Sequence, residues 1–285
     1  MAKSTNGSRH QVWFITGTSQ GFGRELVRAA LGRGYSVVAT SRTPDKVAEM
    51  FPDASDRLHP ISLDLRDELQ IASGVASAIE KFGHINVLVN NAGHGLLGAI
   101  EEASGDEVQN VFETNVFGLL RVTRAVLPHF RERRSGHIVN ISSIGGLTAS
   151  PGWGLYNSTK FAVEGLSEAL AQEVAPLGIR TTIVEPGPFR TDFLGSTLHV
   201  TKARLVDYDE TAGKTRTWRE EMNGAQVGDP VLGSEAIIDA VNSEKPPLRL
   251  LLGISAYDRA LKKLDANRSE FEAWRELTCS TDYKS

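Results

Sequence analysis

Along most of the chain, short apolar runs rich in β-branched residues alternate with longer stretches whose apolar positions recur every three or four residues. The short runs, at residues 12–16, 36–41, 58–64, 87–90, 137–142, 180–185 and 248–252, predict strands. Most are continuously apolar and do not alternate, the mark of strands covered on both faces. The longer stretches predict helices over 22–31, 68–82, 108–130, 156–175 and 234–242. Strand and helix in alternation predict an α/β fold, a Rossmann-type doubly wound parallel sheet of about seven strands.

Two regions break this rhythm. Residues 189–229 are long and polar, which predicts a loop or lid that serves the site. Beyond residue 255, Tyr257, Leu261, Leu264, Phe271 and Trp274 recur at near-helical spacing and predict an amphipathic helical extension that docks on its own sheet or on a partner subunit. Residues 1–10 are polar, predicting a flexible segment without the apolar run of a signal peptide. A length of 285 residues alone leaves room for two domains. With no repeat or linker to divide it, the chain reads as one domain over residues 1–285.

Composition narrows the classes. The balance of 31 Lys plus Arg against 35 Asp plus Glu, with 40% hydrophobic residues, is that of a soluble globular chain and speaks against a nucleic-acid partner. The basic cluster of Arg131, Arg133 and Arg134 reads as a solvated helix end. A single Cys279 forms no internal disulfide and fits a reducing compartment or indifference to redox. No run approaches the ~20 apolar residues of a membrane span. The expectation is a cytoplasmic protein with no membrane partner and no metal.

Four features carry chemistry. Thr16-Gly17-Thr18-Ser19-Gln20-Gly21-Phe22-Gly23 follows the first predicted strand and opens the first helix. Glycines there let the backbone approach a pyrophosphate, and the helix N-terminus offers it unpaired N–H groups; the competing reading is a tightly packed turn without ligand. Asn90-Asn91-Ala92-Gly93 ends the fourth strand, at the edge where α/β sheets bind ligands, although Asn and Gly are also ordinary turn formers. Tyr156 and Lys160 lie four residues apart and so share one helix face. An ammonium there favours phenolate and lowers a phenol pKa from its usual value of about 10; the competing reading is a surface Tyr and a solvated Lys. Ser143 closes the fifth strand, where its hydroxyl can stabilise charge on a substrate oxygen; Ser142 is an equally short-range candidate.

Taken in order, and with Pro186-Gly187 after the sixth strand, this set resembles the short-chain dehydrogenase/reductase family from about residue 12 to about residue 252. The resemblance implies Tyr156 as catalytic acid/base, with Lys160 lowering its pKa and holding the nicotinamide ribose. It implies Ser143 as the carbonyl-positioning hydroxyl and Asn115 as the anchor of a water in a proton relay. For the cofactor it implies Gly17, Ser19, Gln20, Gly21, Phe22 and Gly23 around the pyrophosphate. Asp64 and Leu65 match the adenine contacts, Asn91, Ala92 and Gly93 the adenosine ribose, and Pro186, Gly187 and Thr191 the carboxamide turn. The stretch before Lys160 reads Asn157-Ser158-Thr159, more polar than the family's usual pattern.

An acid at the end of the second strand would bind a ribose 2′-hydroxyl; this chain has Ser41-Arg42 instead, which favours NADP(H) over NAD(H) unless Arg42 is only a solvated charge. His94, Trp153, Phe189 and Phe193, with Leu147 and Leu194, fall in segments expected around the nicotinamide end and suggest a hydrophobic substrate. Each aromatic also reads as core or lid packing, and His94 as a turn residue. The expected activity is NADP(H)-dependent interconversion of a carbonyl and an alcohol. The alternative is a non-catalytic or regulatory NADP-binding protein on the same fold. By resemblance, a homodimer or homotetramer is expected, with contacts through 108–130 and 156–175.

Overall fold

The computed structural model describes residues 10–283. The flexible segment expected over residues 1–10 lies, save for His10, outside them. The chain runs β1 (Val12–Thr16), α1 (Gly21–Gly32), β2 (Ser36–Ser41), α2 (Pro44–Met50), β3 (Leu58–Ser62), α3 (Glu68–Phe82) and β4 (Val87–Asn90). A short strand β5 (Gly95–Leu97) then leads to α4 (Gly105–Phe112), a π-helical turn at Glu113–Gly118, α5 (Leu119–Arg133), β6 (Gly136–Ile141) and α6 (Gly154–Val174). The remainder adds β7 (Ile179–Pro186), β8 (Leu198–Val200), α7 (Lys214–Met222), α8 (Pro230–Asn242), β9 (Arg249–Leu252), α9 (Ile254–Ala273) and α10 (Arg275–Cys279).

Seven strands form one sheet in the order β3-β2-β1-β4-β6-β7-β9, with every neighbouring pair parallel. The order reverses between β1 and β4, which opens a crevice at the carboxyl edge, where ligands of such sheets bind. Successive residues of β1 enter opposite layers: Trp13 and Ile15 pack into one core, Val12 and Phe14 into the other. All four are fully buried, which is why the run is apolar without alternation. Each such side chain contributes roughly 1.5–3 kcal/mol.

The seven strands read from the sequence are these seven: β1, β2 and β4 keep the expected bounds, and the other four shift by one or two residues at their ends. The third stops at Ser62 and not at residue 64, because Asp64 turns out of the ladder to hold Arg66, 2.6 Å away. The single helix predicted over 108–130 is interrupted at Glu113–Gly118, where the backbone widens by one residue per turn. Neither α2 nor α7 is foreshadowed in the apolar pattern, and the 189–229 segment proves to be structured. Its β8 pairs with β5, and α7 lies near its end. The C-terminal helix exists, but it docks through Ala256 and Ala260 against Ile144, Leu147 and Leu251. The small alanines permit that close approach, and Tyr257, Leu261, Leu264, Phe271 and Trp274 face outward, exposed. No helix among the described residues is long and apolar enough to cross a membrane.

Glu102 anchors the 189–229 segment. Its buried carboxylate accepts the N–H groups of Ala99 at 2.6 Å and Leu205 at 3.0 Å and pairs with Arg216 of α7. Removing one member of such a pair strands the other charge, at a cost of about 3–5 kcal/mol. Glu102→Ala is therefore expected to lower the unfolding free energy by that order and to speed amide exchange over residues 201–216. Unchanged denaturant midpoint and exchange would contradict this anchoring.

Candidate active site

A cavity of about 1440 Å³ runs along the carboxyl ends of the sheet, walled by the loops after β1, β2, β4, β6 and β7. Its floor at one end is the turn after β1. Gly17 has φ of +70°, and a Cβ there would come within 2.8 Å of Ala92; a Cβ on Gly23 would sit 2.1 Å from the Gly17 carbonyl oxygen. Only glycine lets strand, turn and helix close this tightly. Asn91 locks the turn to β4, donating from Nδ2 to the Thr16 and Gly17 carbonyls at 2.9 Å each. Gln20 precedes α1 without a side-chain cap, so the first-turn N–H groups gain no side-chain acceptor at the cavity floor. The cradle and these amides fit the diphosphate of a dinucleotide.

Further along the same wall lie Ser19, Gln20, Gly21, Phe22, Ser41, Arg42, Asp64, Leu65, Asn91, Ala92 and Gly93. Across from Gly21 stands Thr191, and Pro186 and Gly187 line the cavity on that side. Gly23 reaches no cavity wall and serves packing. The Arg66 guanidinium holds the Asp64 carboxyl down at about 2.

At the other end, α6 starts just before Tyr156, which is buried, and carries Lys160 one turn on. Lys160 Nζ donates to the Ile141 carbonyl at 2.9 Å and lies 5.8 Å from the centre of the Tyr156 ring. Burial pushes the Tyr156 phenol up to about 12, with Ser143 pulling the other way. Burial also brings the Lys160 ammonium down to about 8, opposed by the Glu164 carboxylate. The phenol thus moves opposite to what the Tyr–Lys spacing predicts. Desolvation sets the direction, with the Ser143 hydrogen bond opposing it, while the Lys160 ammonium is turned toward the Ile141 carbonyl.

The choice between the two serines is geometric. Ser143 Oγ accepts the Gly145 N–H at 3.0 Å and lies on the Tyr156 side of that glycine. Ser142 Oγ, also at the cavity wall, points toward Gly146 and Glu164 and has no hydrogen-bond partner among the described residues. The loop carrying Ser143 is held by Asn157, whose Nδ2 donates to the Gly145 carbonyl at 2.9 Å and whose Oδ1 accepts the Ser150 N–H at 3.2 Å. Asn115 sits behind the wall on the π-helical turn, a feature frequent at functional sites. Its Oδ1 accepts the His94 N–H at 3.0 Å; its Nδ2 donates to the His94 carbonyl at 2.9 Å and to Thr159 Oγ1 at 3.1 Å. The polar Asn157 and Thr159 thus clamp the site, a role not foreseen in the sequence. Their i+1 and i+3 offsets from Tyr156, toward the walls beside it, are the signal that would have found them.

Beside Tyr156 the cavity is aromatic. Phe193 lies 5.3 Å from the Tyr156 ring and stacks on Trp153 at 6.1 Å. His94 meets His199 of β8 edge-on at 4.8 Å, and burial brings its imidazole down to about 4, so it is neutral at ordinary pH. Leu194 also lines this end. Phe189 touches the cavity near the glycine turn, with its ring 4.9 Å from Phe22 and packed on Gly228 and Gly233. Leu147 packs under α9, away from the cavity. Beneath the floor, Arg249 pairs with Glu164, Glu168 and Glu185, where burial and the Glu164 charge hold the Glu185 carboxyl well above the usual range. Glu164 and Glu185 lie 85 and 64 positions from Arg249, and no pattern along the chain marks these pairs.

Comparison with known proteins agrees with this geometry. A family model described as short chain dehydrogenase matches residues 11–200. The chain is 38% identical over 272 residues to oxidoreductase BOA17 of Botryotinia fuckeliana, covering 95% of this chain and 99% of that one. A crystal structure of a short-chain dehydrogenase from Streptomyces avermitilis superposes with a TM-score of 0.90 at 42% identity, over 96% of this chain and 100% of the other. ElxO, solved with NADP bound, is 28% identical with a TM-score of 0.71, covering 86% of this chain and 97% of its own. A 3-ketoacyl-(acyl-carrier-protein) reductase from Brucella melitensis, solved with NADH, is 26% identical with a TM-score of 0.72, over 86% and 96%. The chain thus belongs to the short-chain dehydrogenase family of oxidoreductases, and two of the solved structures above were determined with NADP or NADH bound.

Proposed function

We propose that the protein interconverts a carbonyl and an alcohol with NADP(H), using Tyr156 as general acid and base. The observation that carries this reading is the convergence of Ser143, Tyr156 and Lys160 on one wall of the cavity, with Asn115 directly behind it. A bound nicotinamide supplies the hydride in reduction and accepts it in oxidation. Ser143, its oxygen already fixed by the Gly145 N–H, retains its proton to orient the substrate oxygen. Tyr156, kept protonated by burial, gives its proton to that oxygen as charge develops. Lys160 stabilises the phenolate left behind, and reprotonation runs past Lys160 and Asn115. Outside the cavity, the exposed Phe117, Phe161 and Leu166 support assembly as a homodimer or homotetramer through the α4–α5 and α6 faces.

Arg42, exposed at the end of β2 with no acid beside it in sequence, supports the 2′-phosphorylated cofactor. NADPH consumption with a panel of ketones and aldehydes tests the reading, and turnover with NADPH preferred over NADH is expected. A charge-assisted contact of about 1.5–3 kcal/mol implies a rise of about tenfold to a hundredfold in KM for NADPH in Arg42→Ala, with KM for NADH little changed. Equal use of both cofactors by the wild type would overturn the preference, and no turnover of any carbonyl would overturn the reading.

The pH dependence follows from the two shifts. Tyr156, raised to about 12, stays a proton donor through the neutral and alkaline range. Lys160, lowered to about 8, is charged below that pH and loses its charge above it. Reduction is therefore expected to slow as pH rises through about 8, and Lys160→Arg, whose guanidinium stays charged, should move that fall to higher pH. Initial rates against pH check this; a flat profile across that range would contradict it.

A further inference from the structure

The cationic side chains around the cavity are mostly accounted for. Arg66 is paired with Asp64 and Lys214 with Glu210, while Lys160 is held at the Ile141 carbonyl. Arg42 belongs to the cofactor end, and Lys202 is exposed at the rim. Arg259 of α9 remains. It is half-buried and lines the cavity, and among the described residues it makes no ion pair. Burial alone shifts its pKa, downward, with no neighbouring acid raising it.

One of its nitrogens, Nη2, donates to Thr148 Oγ1 at 2.8 Å and to Ser150 Oγ at 3.4 Å. Its Nε and Nη1 carry no such bond among the described residues, yet neither is an enclosed, unpartnered atom. Their N–H groups therefore remain accessible. The Ser150 that receives Arg259 also gives its N–H to Asn157, the neighbour of Tyr156, so the guanidinium stands on the loop that carries the reacting wall. Ser255 and Ala256, one turn earlier on α9, adjoin the cavity and the Gly187 turn. A desolvated cation is costly unless an anion meets it, and the planar guanidinium fork matches a carboxylate in two parallel hydrogen bonds.

Resting on the carbonyl–alcohol reading above, we propose that the substrate is an oxo acid or hydroxy acid, and that Arg259 binds its carboxylate while the aromatic wall of Trp153 and Phe193 packs on its apolar body. The two halves of the pocket then select for different parts of one molecule. Arg259 is a specificity-determining residue and takes no part in the proton or hydride transfer.

The test uses the full-length protein with NADPH and matched probes: formylbenzoate and a series of ω-oxo carboxylates of increasing length, each against its methyl ester. The wild type is expected to favour at least one acid over its ester by about tenfold or more in kcat/KM, mainly through KM. Arg259→Met should collapse that ratio toward one, and Arg259→Lys should restore part of it. A ratio near one in the wild type overturns the proposal. So does a loss in Arg259→Met that falls equally on acid and ester, which would mean that Arg259 only props the 144–150 loop. Where no probe is turned over, the carbonyl reading itself is in question, and binding decides the carboxylate separately. Saturable thermal stabilisation of the NADP-loaded protein by the acids but not the esters, lost in Arg259→Met, supports the site. Its absence from the wild type overturns it.

Discussion

The site depends on one costly arrangement: an ammonium and a phenol buried side by side where α6 crosses the end of β6. Lys160 is desolvated strongly enough to bring its pKa to about 8, and the Ile141 carbonyl, freed at the strand end, is the acceptor that makes its burial tolerable. The same burial keeps Tyr156 protonated. A parallel sheet supplies the setting, because its strands all end on one edge and leave carbonyls, loops and helix starts facing a common crevice.

Several otherwise scattered features serve to hold that edge still. Thr16 Oγ1 accepts the N–H groups of Asn91 and Ala92 at 3.0 and 3.1 Å, tying the glycine turn to β4. The π-helical turn brings Asn115 against both His94 and Thr159, joining β4 to α6. Asn157 performs the same service for the loop after β6. The polar residues that distinguish this Tyr–Lys segment are thus spent on positioning, which the chemistry of a fixed donor requires.

Much of this was legible in the chain, and the reason is local. The runs of β1, β2 and β4 are apolar because both faces are covered, and they are bounded by Gly and Asn, so their limits are written in their own residues. The glycine turn, Ser143 and the Tyr156–Lys160 pair are likewise short-range signals. What stayed hidden is long-range or breaks no pattern. The widened turn at Glu113–Gly118 keeps its apolar spacing well enough to pass for ordinary helix. Arg249 meets Glu164 across 85 positions, and Arg259 meets Thr148 across 111; only the assembled sheet brings them together. The direction of the Tyr156 shift was hidden too, since spacing reports a neighbouring charge and says nothing of burial.

The central claim is that the buried Tyr156 phenol is the proton donor and not a packing residue. Single-turnover reduction of a carbonyl by the NADPH complex of Tyr156→Phe tests it most directly, because the ring and its contacts with Trp153 and Phe193 are retained while the hydroxyl is lost. General acid catalysis contributes about a hundredfold to ten-thousandfold, so a loss of that size in the reduction step, with NADPH affinity kept within about twofold, is the predicted result. Reduction by Tyr156→Phe at the wild-type rate would contradict the account.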